Sequence, residues 1–203
     1  MVETRRQQID EVASALFRER GYAGTSVREI ARALDLQGAS LYSHMASKED
    51  LLWSIVLRAA ERFEAVAALA DGPAPAPERL RALVRAHVAV VAGEREHAAV
   101  FLHEWRFLGP ERREAIERRR DDYERRVRSL IAEGVAAGAF RPVDPRLTAA
   151  AILSSLNGIA TWYRASGSLA PEAVADAFAD LFLAGLLPAP PPLTELSLRR
   201  NDP

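Results

Sequence analysis

Gln37, Gly38 and Ser40 fall within one short stretch, 37–43, whose outward side chains are small or polar while Leu41 can turn inward. A helix with so slim an outer face fits the major groove of DNA and can set hydrogen-bonding groups against base edges. That chemistry is recognition, donor against acceptor, with no covalent bond made or broken. Other chemistries lack their residues. The 203 residues include no cysteine, which removes a thiolate nucleophile, a disulfide framework and a Cys-type zinc site. The four histidines are His44, His87, His97 and His103. His97 and His103 stand six apart, on different faces of a helix, and no HExxH occurs, so no metal site is expected. There is no Gly-rich phosphate loop, nucleophile elbow or paired-carboxylate motif. No catalytic residue is expected, and the chain is not expected to be an enzyme.

Two helices must position the 37–43 stretch. Ser26 with Glu29 forms a capping box, and Val27, Ile30, Ala31 and Leu34 recur at helical spacing behind it. Asp35-Leu36 breaks that pattern before the second helix begins, and Ser47 offers an N-cap for a third. Upstream, a helix over 5–20 carries Ile9, Val12, Ala13, Leu16 and Phe17 as one apolar stripe, with Gly21 as its left-handed stop and Tyr22 packing back. Helical hairpins of this kind also occur in proteins that never touch DNA, so spacing alone leaves both readings open.

Composition bounds the rest. The length suits one or two small domains with a real core, and 49% apolar content is ordinary for a globular protein. No apolar run reaches a membrane span, and Met1 leads into charged and polar residues, so the chain is expected in the cytoplasm. The formal net charge of -1 lends nucleic-acid binding no support, because the arginines are matched by acids even in the first fifty residues.

Further along, the spacing predicts a helix from Ser47 to about Leu69, with Leu51, Leu52, Ile55, Val56, Ala59, Phe63 and Val66 inward. Residues 71–77, with three alternating prolines, predict an extended linker. Helices follow over about 80–92, 94–108 and 111–137, broken by Gly93, Gly109-Pro110 and Gly138. The 111–137 helix is charge-dense. Glu114 with Arg118, Asp121 with Arg125, Asp122 with Arg126 and Glu124 with Arg128 stand at i,i+4, so Arg118-Arg119-Arg120 reads as a solvated face. A helix from Pro145 to about Ser166 is apolar almost all round and must be central or covered by a partner; another runs from Pro171 to about Leu187. Trp105, Phe107, Tyr123, Trp162, Tyr163 and Phe101 supply enough aromatic surface to line an apolar pocket, or simply to fill the core.

The run SVREIARALDLQGASLYSHMASKEDLL resembles the signature of the TetR/AcrR family of bacterial one-component transcriptional regulators. Gly21-Tyr22, Thr25-Ser26-Val27, Ile30-Ala31, Leu41-Tyr42, His44 and Ser47-Lys48-Glu49 carry the match. Asp35 replaces the usual turn glycine, which Asp tolerates, and Met45 the usual phenylalanine. The resemblance implies an all-α chain of about nine helices: a three-helix helix-turn-helix head over 1–46, a helical ligand-binding and dimerisation domain over 47–187, and a Pro-rich, partly disordered tail over 188–203. It implies a homodimer binding near-palindromic double-stranded operator DNA, with Thr25, Ser26, Arg28, Gln37, Gly38, Ala39, Ser40, Tyr42, His44 and Lys48 at the DNA. Tyr42, His44, Thr25 and Lys48 would hold phosphates. The last two long helices would pair across the dimer through Leu153, Leu156, Phe178, Leu181 and Phe182.

The C-terminal 85 residues, notably Asn157, Trp162-Tyr163-Arg164 and Gly185-Leu186, resemble the subgroup that controls fatty-acid, phenylacetate and sterol catabolism. That implies no bound cofactor but a small-molecule effector, an acyl-CoA thioester. Its acyl part would lie among Phe63, Phe101, Trp105, Tyr123, Asn157, Trp162 and Tyr163, with Trp53 also within reach. Arg106, Arg141 and Arg164 are candidates for its phosphates. Two other readings stay open here: a TetR-type regulator of a multidrug efflux pump sensing lipophilic compounds, and a helical enzyme or scaffold with an unused helix-turn-helix.

Overall fold

A computed structural model of the chain describes residues 5–36, 41–42 and 45–188. Among them every regular element is helical: eight α-helices and two 3₁₀ turns, with no strand. Helix α1, Arg5–Arg20, buries Ile9, Ala13 and Phe17 and stops at Gly21, whose φ of +75° only glycine adopts without strain. Helix α2, Val27–Ala33, opens on the expected capping box. The Ser26 hydroxyl accepts the Glu29 N–H, and the Glu29 carboxylate accepts the Ser26 N–H at 2.7 Å. It closes through Asp35, which takes φ +54°, the left-handed turn the sequence asks of it. Leu41 is fully buried and Met45 nearly so, as expected, while the remainder of the predicted second helix lies outside the described residues.

Helix α3, Lys48–Ala67, then runs out of this head into the body and ends in a 3₁₀ turn, Ala68–Ala70. The body adds α4 (Ala76–Gly93), α5 (Arg95–His103), a 3₁₀ turn (Trp105–Phe107), α6 (Pro110–Ala136), α7 (Pro145–Trp162) and α8 (Pro171–Leu186). Proline sits in the first turn of α4, α6, α7 and α8, where its missing N–H has no helical partner to lose. Head and body share one apolar core, continuous from Ile9 and Phe17 through Leu51 and Ile55 to Leu83, Leu130 and Ile159. Each such side chain stabilises the fold by about 1.5–3 kcal/mol.

Several boundaries differ from those expected. The linker is shorter, because Ala76 and Pro77 already belong to α4, and Gly93 is the last residue of α4 where a break was expected. The single helix expected over 94–108 is split: α5 ends at His103 and the chain tightens into the Trp105–Phe107 turn. Helix α7 stops at Trp162, four residues early, where Tyr163 turns to ψ 139° and buries its ring. Along α6 the Glu114–Arg118 pair forms at 2.6 Å, but Arg125 turns to Asp122 and Arg126 reaches across to Asp71. The Pro-rich tail from 189 onward lies outside the described residues.

Candidate nucleic-acid interface and ligand cavity

Of the ten residues expected at DNA, Gln37, Gly38, Ala39, Ser40 and His44 lie outside the described residues. Tyr42 projects from the head at 54% exposure, and Arg28 and Ser26 are exposed on the first turn of α2. Thr25 is a correction. It is 1% exposed, and its hydroxyl donates to the Gly21 carbonyl at 2.9 Å with the Leu16 carbonyl at 3.3 Å. Thr25 therefore closes the C-terminus of α1 and offers nothing to a phosphate. Lys48 is also tied inward: its ammonium donates to the Tyr22 carbonyl and stands 4.1 Å over the Tyr22 ring. Burial lowers its pKa against the opposing pull of Glu29. In this position Lys48 holds the α1–α2 turn onto α3.

The same turn is fastened to the body. The Tyr22 N–H donates to Glu104 Oε2 at 2.8 Å, and the Tyr22 ring packs on Phe107 with centroids 5.5 Å apart. Below it, Glu49 accepts the Gly109 N–H at 3.0 Å, and Arg112 pairs with Asp50 at 2.6 Å. The Arg112 guanidinium, with the Ser47 hydroxyl, holds the Asp50 carboxyl below its usual pKa. Glu104 and Phe107 flank Trp105 and Arg106, and these two line a cavity. One turn of chain thus touches the head on one side and the cavity on the other.

The cavity, ≈ 380 Å³, opens among α3, α4, α5, α6 and α7. Six of the residues expected at the effector line it: Phe63, Phe101, Trp105, Arg106, Tyr123 and Asn157. Phe63 stacks on Phe101 at 5.1 Å and meets His87 at 5.0 Å. The other three do not line it, because α7 ends before it could aim them there. Tyr163 is buried in the core, Trp162 turns outward to stack on Phe178 at 6.4 Å, and Arg164 is exposed past the helix end. Arg141 is engaged with the Gly185 carbonyl, and Trp53 lies half-buried beneath Arg112, 5.6 Å from its guanidinium.

Two of the other lining residues bear on the chemistry of the cavity. Arg120 is half-buried over Phe101 and Trp105, at 5.3 and 5.4 Å, so the triple-arginine run is not wholly a solvated face. Burial and the adjacent Arg106 charge lower its pKa. Nothing in the local spacing separates Arg120 from its neighbours. His87 is fully buried, and its Nδ1 lies 2.8 Å from the Tyr123 hydroxyl. Burial holds its pKa down at about 3, with the Asn157 amide pulling the other way yet falling short of a hydrogen bond to Nε2. Burial likewise raises Tyr123, so both rings are neutral near pH 7. A histidine set among Leu83, Val84, Val88 and Val91 was the available signal.

At the expected subunit contact, Leu181 (66% exposed) and half-buried Phe178 and Phe182 share a face of α8. Leu147 on α7 (70% exposed) joins that apolar surface. Leu153 and Leu156 are corrections: Leu156 has no exposed surface and Leu153 lines the cavity, because both lie on the inward side of α7. No helix among the described residues is long and apolar enough to cross a membrane.

Two family models match the chain: "Bacterial regulatory proteins, tetR family" over residues 9–55, and "Tetracyclin repressor-like, C-terminal domain" over 73–186. The HTH-type transcriptional repressor KstR2 of Mycobacterium tuberculosis is 30% identical over 190 residues, covering 91% of this chain and 94% of that protein. Its solved structure, described as a ketosteroid transcriptional regulator, superposes with TM-score 0.84 at 27% identity, over 93% and 98% of the two chains. The TetR family regulator PfmR from Thermus thermophilus is 38% identical with TM-score 0.79, over 87% and 97%. AibR, solved with isovaleryl coenzyme A and operator DNA, is 33% identical with TM-score 0.78, over 88% and 97%.

Proposed function

This chain belongs to the tetR family of bacterial regulatory proteins, and we propose that it is a homodimeric repressor of lipid or phenylacetate degradation genes, released from its operator by a CoA thioester. The observation that carries the reading is the Glu104–Phe107 segment. Glu104 and Phe107 grip the head at Tyr22, while Trp105 and Arg106 belong to the cavity wall. A ligand that displaces Trp105 alters the grip on the head, which is the differential contact that linkage between two sites requires.

The walls support the ligand class. Phe63, Phe101 and Leu153 suit a short acyl group, and ≈ 380 Å³ is at the small end for ligand pockets. Arg106 and Arg120 supply cations for the phosphates of coenzyme A. The AibR complex offers a relative whose ligand is of that chemistry. KstR2, a repressor described as ketosteroid-related, supports control of a catabolic gene set.

In this reading Gln37, Gly38 and Ser40 face bases, with Ser26 and Arg28 beside them. Tyr42 and His44 grip phosphates and fix register without carrying sequence information. Lys48 serves the interface by anchoring Tyr22. Two copies pair through the apolar face of α7 and α8, presenting two heads to a near-palindromic site.

The test is operator selection on random DNA, repeated with free CoA, phenylacetyl-CoA and acyl-CoAs of rising length. The reading expects one palindromic site released by a thioester and not by free CoA. A site indifferent to every thioester removes the effector assignment, and failure to select any site removes the repressor.

A further inference from the structure

The floor of the cavity is not a hydrocarbon surface. His87 has no exposed area, and its Nε2 has no hydrogen-bond partner among the described residues. Its Nδ1 is fixed against the Tyr123 hydroxyl at 2.8 Å, and Phe63 packs on the ring at 5.0 Å, so the imidazole is held in one orientation. Asn157 and Ser154 of α7 lie on the same cavity. Toward the arginines stands a second unpartnered buried nitrogen, Trp105 Nε1, which can only donate. A plain alkyl chain drawn into this space would offer neither nitrogen a partner. Sites built around a buried polar group reject analogues that lack its partner far more strongly than they resolve a methylene.

We propose that the effector's acyl group is oxygenated: a carbonyl or hydroxyl oxygen on the buried chain takes His87 Nε2, while the thioester carbonyl takes Trp105 Nε1. The proposal rests on the thioester reading above and narrows it to oxo- or hydroxyacyl groups. It also divides the two ends of the ligand by chemistry. The chain oxygen meets a neutral ring set among aromatic side chains, and the thioester lies near Arg106 and Arg120. If the Tyr123 hydroxyl donates to Nδ1, then Nε2 carries the proton and a ketone is preferred. The opposite tautomer prefers a hydroxyl.

Direct binding of ligand to the full-length protein, by calorimetry without DNA, tests this. The probes are butyryl-CoA, 3-oxobutyryl-CoA, 3-hydroxybutyryl-CoA, a corresponding six-carbon set oxygenated at the third or the fifth carbon, and S-butyl-CoA, a thioether without the thioester carbonyl. The expected result is that one oxygenated probe binds at least roughly tenfold more tightly than its plain acyl partner. His87→Leu abolishes that preference, and Tyr123→Phe weakens it if the leucine variant does not fold. Trp105→Phe removes the preference for butyryl-CoA over S-butyl-CoA. Plain acyl thioesters binding as tightly as all oxygenated ones overturn the proposal and leave the thioester reading intact; so does a preference that survives both His87→Leu and Tyr123→Phe. Tight binding of every probe, unaffected by these variants, also overturns it. Absence of binding by every thioester overturns both readings together.

Discussion

The backbone N–H of Tyr22 donates to the carboxylate of Glu104 at 2.8 Å across 82 residues of sequence. Tyr22 lies just past the first helix of the head; Glu104 precedes a turn that lines the cavity. That bond makes head geometry depend on a segment that ligand contacts. A buried or half-buried hydrogen bond to a charged acceptor contributes about 1.5–3 kcal/mol, comparable to the coupling of about 1–3 kcal/mol that allosteric proteins use.

Removing the carboxylate separates the two functions. Glu104→Ala is expected to leave thioester affinity within about twofold while shrinking the ligand's effect on operator affinity about tenfold. Titrating operator with and without thioester, for parent and variant, measures both quantities. An unchanged ligand effect means the signal travels elsewhere.

His87 gives the fold a specific acid weakness. Its folded pKa of about 3 lies below the unfolded value of ~6.5, so the unfolded chain binds the proton first. The stability associated with the neutral ring is complete above the unfolded value and declines as pH falls toward the folded one. His97, lowered chiefly by burial, acts in the same direction. Asp50 and Glu29, whose pKa values are lowered chiefly by hydrogen bonds, lose their contributions only in more acid solution, below their unfolded values of ~4. Urea unfolding between pH 6 and 5 is expected to show His87→Gln losing less stability than the parent, by about 1 kcal/mol per pH unit. Parallel pH profiles for the two proteins would show that His87 is protonated with little cost.

Gly134 on α6 exists to admit a ring. A Cβ there would stand 2.1 Å from Phe140 Cδ2, and Phe140 is 2% exposed. Gly134→Ala is expected to cost about 2 kcal/mol through displacement of that ring, despite alanine's better helix propensity. Calorimetric unfolding at pH 7.5 checks it; a Tm at or above the parent's contradicts the packing described.

Much of this was legible in advance because local rules suffice. Ser26 with Glu29, Gly21, Asp35 and the prolines of α6, α7 and α8 each state a helix start or stop in one or two residues. The body cavity was half legible. Aromatic composition pointed to Phe101, Trp105 and Tyr123, and the subgroup resemblance to Phe63, but which tryptophan faces inward depends on where α7 ends. Trp162 and Arg164 were misassigned for that reason alone. Thr25 and Leu156 show the same limit from another side. Their types fit a phosphate or a subunit contact, and only the packing of α1 on α2, or of α7 on its own core, determines that they are already buried. Arg120 carried no distinguishing signal among its neighbours.

The subunit contact can be separated from the core on one helix pair. Leu181→Glu is expected to convert the dimer to monomer at micromolar concentration with the fold retained, because the side chain is 66% exposed in one copy. Leu156→Ala is expected to lower stability by about 3 kcal/mol without changing oligomeric state. Sedimentation velocity with circular dichroism distinguishes them; a Leu181→Glu protein that remains dimeric rules out this face.

The central claim is that cavity and reading head are linked, and reciprocity tests it directly. Thioester affinity is measured by calorimetry on the free dimer and again on the dimer saturated with its selected operator. Linkage predicts that operator weakens thioester binding by the same factor by which thioester weakens operator binding, expected to be between about fivefold and 150-fold. Equal thioester affinity with and without operator would contradict it, whatever the genes under control.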